Sequence, residues 1–487
     1  MTRFHLGLLV CMLLSTAGFL LSLNGCGGGA NGHDLRSQTI QHVVIIFQEN
    51  RTPDNLFQGL CAANGGVPGC GTNPAQYDIA SSGENSQHQT IPLSQIDLGT
   101  AGPNPDNYDL SHAHSAFVAM CDLNASGVCA MDGADLISTS CAPGVTGCAS
   151  TNPQFMYVNP SDVQPYLTMA QTYTFADRMF QTNQGPSFPA HQFIISGTSA
   201  PTKDSGLFAA ENGGIGLNDG CLSAAGETVK LIDASGSESS NPPIYPCFEH
   251  PTLTDSLDSA NITWRYYAPS AGSIWTGPDA IQHICQPQTQ DSKLVCTGAA
   301  WANVKIPQTQ VLTDIANQQL AAVSWVIPDG TTSDHALSND GSGPSWVTSI
   351  VNAIGNSSYW SNTAIIITWD DWGGWYDHVP PPQVLVNCAQ WGCGYVYGFR
   401  VPLIVVSPYA KAAYISHTPH DFGSILKFIE ETFGLPSLGY ADANSLDDLS
   451  DCFNFSQTPL TFQTIAAPLG AEHFLNDRRP PTDPDDD

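Results

Sequence analysis

Apolar and polar positions along the chain fall into two kinds of pattern. Short runs with almost no polar alternation recur at "HVVIIF" (42–47), "NITWRYY" (261–267), "AAVSWVI" (321–327), "TAIIIT" (363–368) and "VPLIVVS" (401–407). Runs of this length, rich in β-branched and aromatic residues, suit strands covered on both faces, as in a mainly parallel sheet. Between them, "PSWVTSIVNAIG" (344–355) and "DFGSILKFIEETFGL" (421–435) repeat apolar residues at spacings of three and four, and the second runs out near Gly434 and Pro436. Strands alternating with helices predict an α/β fold with a mainly parallel central sheet and helices on both faces.

Two long segments break this rhythm. Residues 60–150 and 200–250 are rich in Gly, Ser, Asn, Pro and Cys and show little periodicity. They are too long for plain connections, so the expectation is one domain over 41–475 carrying two loop insertions that shape the mouth of a site. The end, "NDRRPPTDPDDD" (476–487), is polar, Pro-rich and acidic, which predicts a disordered tail.

At the other end, "MTRFH" and the mostly apolar run from Leu6 to Leu23 predict an export signal over 1–25, followed by a linker over 26–40. Small residues leading into Cys26 fit a bacterial lipoprotein site, whose lipidated cysteine would tether the chain to a membrane. An ordinary signal peptide and an uncleaved anchor helix stay open. The expected location is thus outside the cytoplasm of a bacterial cell, as a periplasmic or outer-membrane lipoprotein or a secreted protein. No later stretch is long and apolar enough to span a bilayer.

Cysteine usage agrees with export. Beyond Cys11 and Cys26 most cysteines form close couples: Cys61 and Cys70, Cys121 and Cys129, Cys141 and Cys148, Cys221 and Cys247, Cys285 and Cys296, Cys388 and Cys393, with Cys452 left over. The couples lack the CxxC spacing of a metal cluster and sit among turn residues, so local disulfides stapling the loops are expected.

Charge narrows the chemistry. Asp and Glu outnumber Lys and Arg 44 to 14, a formal net charge of -30. Such a field repels a nucleic-acid backbone, so no nucleic-acid partner is expected, and a phosphate substrate would have to be met by a metal or a few local donors. In open α/β sheets ligands bind beyond the carboxyl ends of strands. There, "HVVIIF" is followed by Glu49 and Asn50, and "TAIIIT" by Asp370 and Asp371 in "WDDWGGWYDH". Three carboxylates and an amide are hard oxygen donors suited to Mg²⁺, Ca²⁺ or Mn²⁺ and acceptable to Zn²⁺. Adjacent strand residues point to opposite faces, so both members of each pair reach one ion only where the strand is ending.

Ser187, in "NQGPSFPAHQFIISGT" (183–198), is a candidate nucleophile held between Gly185, Pro186 and Pro189, a setting that also suits a plain turn. "SDH" places Asp334 and His335 after another apolar run, "YDH" places Asp377 and His378 after the diglycine, and "LSHAHSAF" adds His112 and His114. A histidine beside a carboxylate beyond a strand end is a reasonable general acid near neutral pH.

"HVVIIFQENRTPDNLF", "GPSFPAHQFIISGT", "WVIPDGTTSDH", "TAIIITWDDWGGWYDHVPPP", "GFRVPLIVVSPYAK" and "ISHTPHDFGSILKFIEETFGLPSL", in this order from about residue 41 to 440, resemble the bacterial phosphoesterase family that includes phospholipases C and acid phosphatases. The resemblance implies an alkaline-phosphatase-like α/β core, a divalent cation and attack on phosphorus by a hydroxyl. Carried over by motif, Glu49, Asn50, Asp370 and Asp371 would hold the metal and Ser187 would attack. His335, His378 and His112 would serve as catalytic or phosphate-contacting groups, with Asn50 and Asp334 also touching substrate. Many relatives read Asp-Glu where this chain has Asp370 and Asp371. They often read "HPNR" after the serine, where this chain has "FPAH" (188–191), which bears on substrate preference.

The resulting expectation is metal-dependent hydrolysis of phosphoric esters, phospholipase C-like on phospholipids, with a broad phosphomonoesterase of the acid phosphatase type as the alternative. Trp369, Trp372, Trp375 and Tyr376 would offer an apolar approach for lipid or else pack the core. A surface-binding lipoprotein that only retains the fold is the non-enzymatic alternative. A sulfuric-ester hydrolase lacks support, because no CxPxR-type modification motif is found.

Overall fold

The apolar runs become the strands of one nine-stranded sheet in a computed structural model that describes residues 32–62, 76–142, 145–213, 218–383 and 397–482. In chain order these strands are β1 (His42–Gln48), β2 (Thr174–Phe180), β3 (Trp264–Tyr267), β4 (Val304–Lys305), β5 (Val323–Val326), β6 (Thr363–Trp369), β7 (Arg400–Val406), β8 (Tyr414–Ser416) and β9 (His420–Asp421). The spatial order is β4-β3-β5-β1-β6-β7-β2-β8, with β9 also pairing β2. Every pairing is parallel except those of β7, which runs antiparallel to both β6 and β2. The mainly parallel α/β prediction therefore holds. Strands β1, β6 and β7 are buried almost throughout, which is why they lack polar alternation.

Four helices matter for the site: α1 (Pro53–Leu56), α2 (Ser187–Ser196), α3 (Gly343–Gly355) and α4 (Phe422–Phe433). Opposite faces of the sheet carry different helices. On one face Phe47 packs edge-on against His191 of α2 and Phe422 of α4, and Trp325 donates to the Ile194 carbonyl. On the other, Trp369 packs against Tyr166 of the helix Gln164–Thr172 and against Phe57.

The aperiodic segments fold into small satellite sheets rather than bare loops, among them Tyr108–Leu110 paired with Thr139–Cys141, and a three-stranded sheet over 207–244. Disulfides form as the couples suggest at Cys121–Cys129, Cys141–Cys148, Cys221–Cys247 and Cys285–Cys296, while Cys452 is buried and free. Cys70, Cys388 and Cys393 lie outside the described residues, as do the export signal, Cys26 and residues 483–487. Over 477–482, Arg479 pairs with Asp340 and Asp477, and the Gly330 N–H donates to the Thr482 carbonyl, which lays this stretch against the loop after β5. Among the described residues no helix is long and apolar enough to cross a membrane.

Candidate active site

The register of β1 and β6 aligns Gln48 with Trp369, so the two strands end level and release Glu49–Asn50 and Asp370–Asp371 side by side. Asn50, two residues past the end of β1, takes a left-handed backbone, φ 61°. That kink ends the strand's alternation, and asparagine tolerates it better than most residues. The Asn50 N–H donates to Asp370 Oδ1 at 2.9 Å, and the Asp371 N–H donates to the same oxygen at 2.7 Å. All four side chains are fully buried.

The diglycine explains why the carboxylates are followed by "WGGW". Gly373 and Gly374 have φ of 60° and 71°; a Cβ on the first would stand 2.4 Å from the Asn50 carbonyl oxygen, and one on the second 2.4 Å from Leu110 Cβ. Only glycine lets this loop turn back against both the Asn50 backbone and the segment leading to His112. The three tryptophans of the motif are fully buried and Tyr376 nearly so, so they pack the core and provide no apolar approach.

Ser187 opens α2, fully buried, and its hydroxyl donates to Asp370 Oδ2 at 2.5 Å. Gln181 and Asn183 both donate to the Gly185 carbonyl, at 3.2 and 3.0 Å, which fixes the turn before it. At the first turn of a ten-residue helix the serine also sits in the positive end of the backbone dipole, which favours an alkoxide. His114 reaches this turn from the neighbouring insertion through the Gln184 carbonyl, 3.3 Å from Nδ1.

The first insertion carries His112 to the cluster. Its Nδ1–H donates to the Leu110 carbonyl at 2.9 Å, so in the neutral ring Nε2 accepts from Asn50 Nδ2 at 3.2 Å. The bond fixes the Asn50 amide, directing Oδ1 the other way; that oxygen is buried and has no hydrogen-bond partner. His112 Nε2 is also 4.0 Å from Asp371 Oδ2, and the ring lies 5.8 Å from that of His335. His335 is likewise buried, with Nδ1 on its neighbour's carbonyl at 2.7 Å and Nε2 without a partner.

Sequence reasoning overlooked His191. It lies one turn along α2 from Ser187, and the i, i+4 spacing on a helix is the signal that finds it. Its Nε2 is 3.4 Å from Glu49 Oε1, and single ligand atoms of Glu49, His191 and Asp370 lie within 4.8 Å of one another. Converging buried carboxylates repel one another unless a cation stands among them. With the unpartnered Asn50 carbonyl oxygen beside them, these residues fit a divalent cation.

Two expected site residues are placed elsewhere. Asp334 is fully buried, and its Oδ2 accepts from Tyr166 OH and Trp369 Nε1 at 2.9 and 3.0 Å, beneath the sheet face opposite α2. Burial raises its carboxyl to about 6 against the pull of Arg51. His378 has both ring nitrogens on carboxylates, Nδ1 to Asp54 at 2.7 Å and Nε2 to Asp78 at 3.1 Å, neither of which belongs to the serine cluster. Arg400, at the start of the reversed strand β7, completes that group by gripping Asp377 with two bonds of 2.8 and 2.9 Å. A fully buried guanidinium needs such carboxylates, and His378 is one more cation they hold.

A satellite strand, two sheet strands and a helix N-terminus thus converge on one polar cluster at the carboxyl end of the sheet. The phosphoesterase family model matches residues 40–436, and the chain belongs to the phosphoesterase family. Among curated proteins it is similar to the non-hemolytic phospholipase C of Pseudomonas aeruginosa, 25% identical over 63% of this chain and 44% of that protein. It is also similar to phospholipase C A of Mycobacterium tuberculosis, 24% identical over 86% of this chain and 78% of that one. The chain thus spans less than half of the first relative's length. A solved protein of the alkaline phosphatase superfamily from Vibrio parahaemolyticus covers 59% of this chain and 64% of its own at 13% identity and a TM-score of 0.31, too slight a likeness to carry weight.

Proposed function

We propose that this protein hydrolyses phosphoric esters as a phospholipase C-like phosphodiesterase, with Ser187 as nucleophile and a divalent cation held by Glu49, Asn50, Asp370 and Asp371. The observation that carries this reading is the Ser187 hydroxyl on Asp370, inside the buried carboxylate cluster and at a helix N-terminus. Bound there, a divalent cation lowers the pKa of the hydroxyl and neutralises charge on the phosphoryl group.

The chain's own groups supply the remaining steps. Asp370 Oδ2, already accepting the Ser187 proton, is placed to take it as Oγ attacks phosphorus. The new Oγ–P bond forms in line as the bond to the leaving alcohol breaks. His335, once protonated at its unpartnered Nε2, gives that alcohol its proton. The neutral ring left behind accepts a proton from water as the water oxygen bonds phosphorus, the P–Oγ bond breaks, and Asp370 returns its proton to Oγ, regenerating the hydroxyl. His112 acts by orienting the Asn50 amide. The substrate is a phospholipid, reached by an exported protein that its N-terminal cysteine tethers to a membrane.

A second reading, a phosphomonoesterase for small substrates, is favoured by the burial of Trp369, Trp372 and Trp375, which leaves no exposed aromatic rim from that motif to meet lipid. Side-by-side turnover of phosphatidylcholine and p-nitrophenyl phosphate in one buffer with defined metals separates them. Preference for the monoester moves the assignment to phosphatase; no turnover of either ester overturns both readings.

A further inference from the structure

We propose that His191 is a direct ligand of the cation through Nε2, making the site a mixed nitrogen and oxygen centre that selects a borderline transition ion such as Zn²⁺ over Mg²⁺ or Ca²⁺. The inference rests on the metal site proposed above and adds a donor outside the Glu49, Asn50, Asp370 and Asp371 set.

Tyr266 is an ordinary neutral phenol with a single proton to give. That proton goes to the Trp275 carbonyl, 2.7 Å away. The phenolic oxygen therefore accepts, from the Gly277 N–H at 3.3 Å and from His191 Nδ1 at 3.3 Å. Nδ1 carries the hydrogen, so the neutral ring presents a lone pair at Nε2.

That lone pair faces acceptors. Nε2 stands 3.4 Å from Glu49 Oε1 and within 4.8 Å of an Asp370 carboxylate oxygen, in a place where Glu49, Asp370 and His191 are all fully buried. Lone pairs converging without solvent cost energy unless a positive charge lies between them. The spacing fits: two ligands bound at about 2.1 Å and a tetrahedral angle apart stand about 3.4 Å from each other. The unpartnered, buried Asn50 Oδ1, directed away from His112, is independent of this geometry and points to the same ion. Phe47, edge-on at 4.9 Å, and Tyr266 hold the imidazole in place, as outer partners of metal-binding histidines do.

Imidazole suits Zn²⁺ and its neighbours, whereas Mg²⁺ and Ca²⁺ take oxygen. Because His191 and Ser187 share one helical turn, the same rigid element would fix the nucleophile and one ligand.

The test uses the whole exported chain, stripped with a chelator and reloaded with Zn²⁺ or Ca²⁺ alone. Wild type, His191→Gln and His191→Leu are compared by competition against a chromophoric chelator and by X-ray absorption at the zinc edge. The proposal expects Zn²⁺ affinity at least tenfold weaker in both variants with Ca²⁺ affinity changed less than twofold, and one imidazole fewer in their spectra. Equal zinc affinity and equal spectra overturn the role of His191 while leaving the metal site standing. Zinc binding by wild type with no imidazole scattering overturns it even if neither variant folds. Failure of wild type to retain any cation overturns both this inference and the metal site beneath it.

Discussion

Ser187 Oγ and Asp370 Oδ2 stand 2.5 Å apart although 183 positions separate them in the chain. Replacing Ser187 by Ala removes the oxygen proposed to attack and leaves Asp370 with the N–H groups of Asn50 and Asp371. Turnover of phosphatidylcholine should fall by about 10⁴ or more with the melting temperature nearly unchanged. Activity within tenfold of wild type would remove Ser187 from the mechanism.

Removal of metal should act on stability as well as rate. Glu49, Asp370 and Asp371 are fully buried, and without a cation their mutual repulsion opposes the fold. Chelation should abolish turnover reversibly and lower the melting temperature, and readdition of a divalent cation should restore both. A stripped protein with full activity refutes the dependence.

Changing His112 to Phe takes away the acceptor that orients the Asn50 amide while leaving all the carboxylates in the chain. Cation affinity and kcat/KM should each drop by roughly 10 to 100-fold, the usual effect of losing a partner behind a ligand. Titration of the stripped variant with metal checks the first, steady-state kinetics the second.

Gly373→Ala places a methyl 2.4 Å from the Asn50 carbonyl oxygen at a backbone φ of 60°. The left-handed backbone alone costs about 1–2 kcal/mol, and the clash adds to it. Urea unfolding should show that loss, and activity should fall further than stability because Asn50 is displaced.

His378 makes stability depend on pH at the alkaline end. Burial lowers its pKa, but the charge of Asp54 and the hydrogen bonds the ring donates to Asp54 and Asp78 outweigh that and lift it from 6.5 to about 10. A group whose folded pKa is raised contributes fully below its unfolded value and loses that contribution as pH climbs toward the folded one. Melting temperature should therefore decline from about pH 6.5 to 10 more steeply in wild type than in His378→Gln; parallel profiles would show that the ring carries no charge there.

Much of the sheet was legible because its strands are covered on both faces and so lack polar interruption. Strand β7 read equally well as an apolar run, yet its reversal did not show, since direction leaves no mark on composition. The pairs at 49–50 and 370–371 were legible because they follow such runs. Adjacency to a carboxylate in sequence does not say which group a side chain meets in space: His378 meets Asp54 and Asp78, and Asp334 meets Tyr166 and Trp369. His191 is hidden in "FPAH" because only the helix opened by Ser187 brings its ring back beside Glu49, and four residues do not announce that helix.

The kink at Asn50 limits what evolution can try there. Its backbone angle admits Gly, Asn or Asp with little strain. Glycine has no side-chain carbonyl to offer a cation, and aspartate has no side-chain N–H for the lone pair of His112. Position 50 thus admits no substitute that keeps both the bend and the amide.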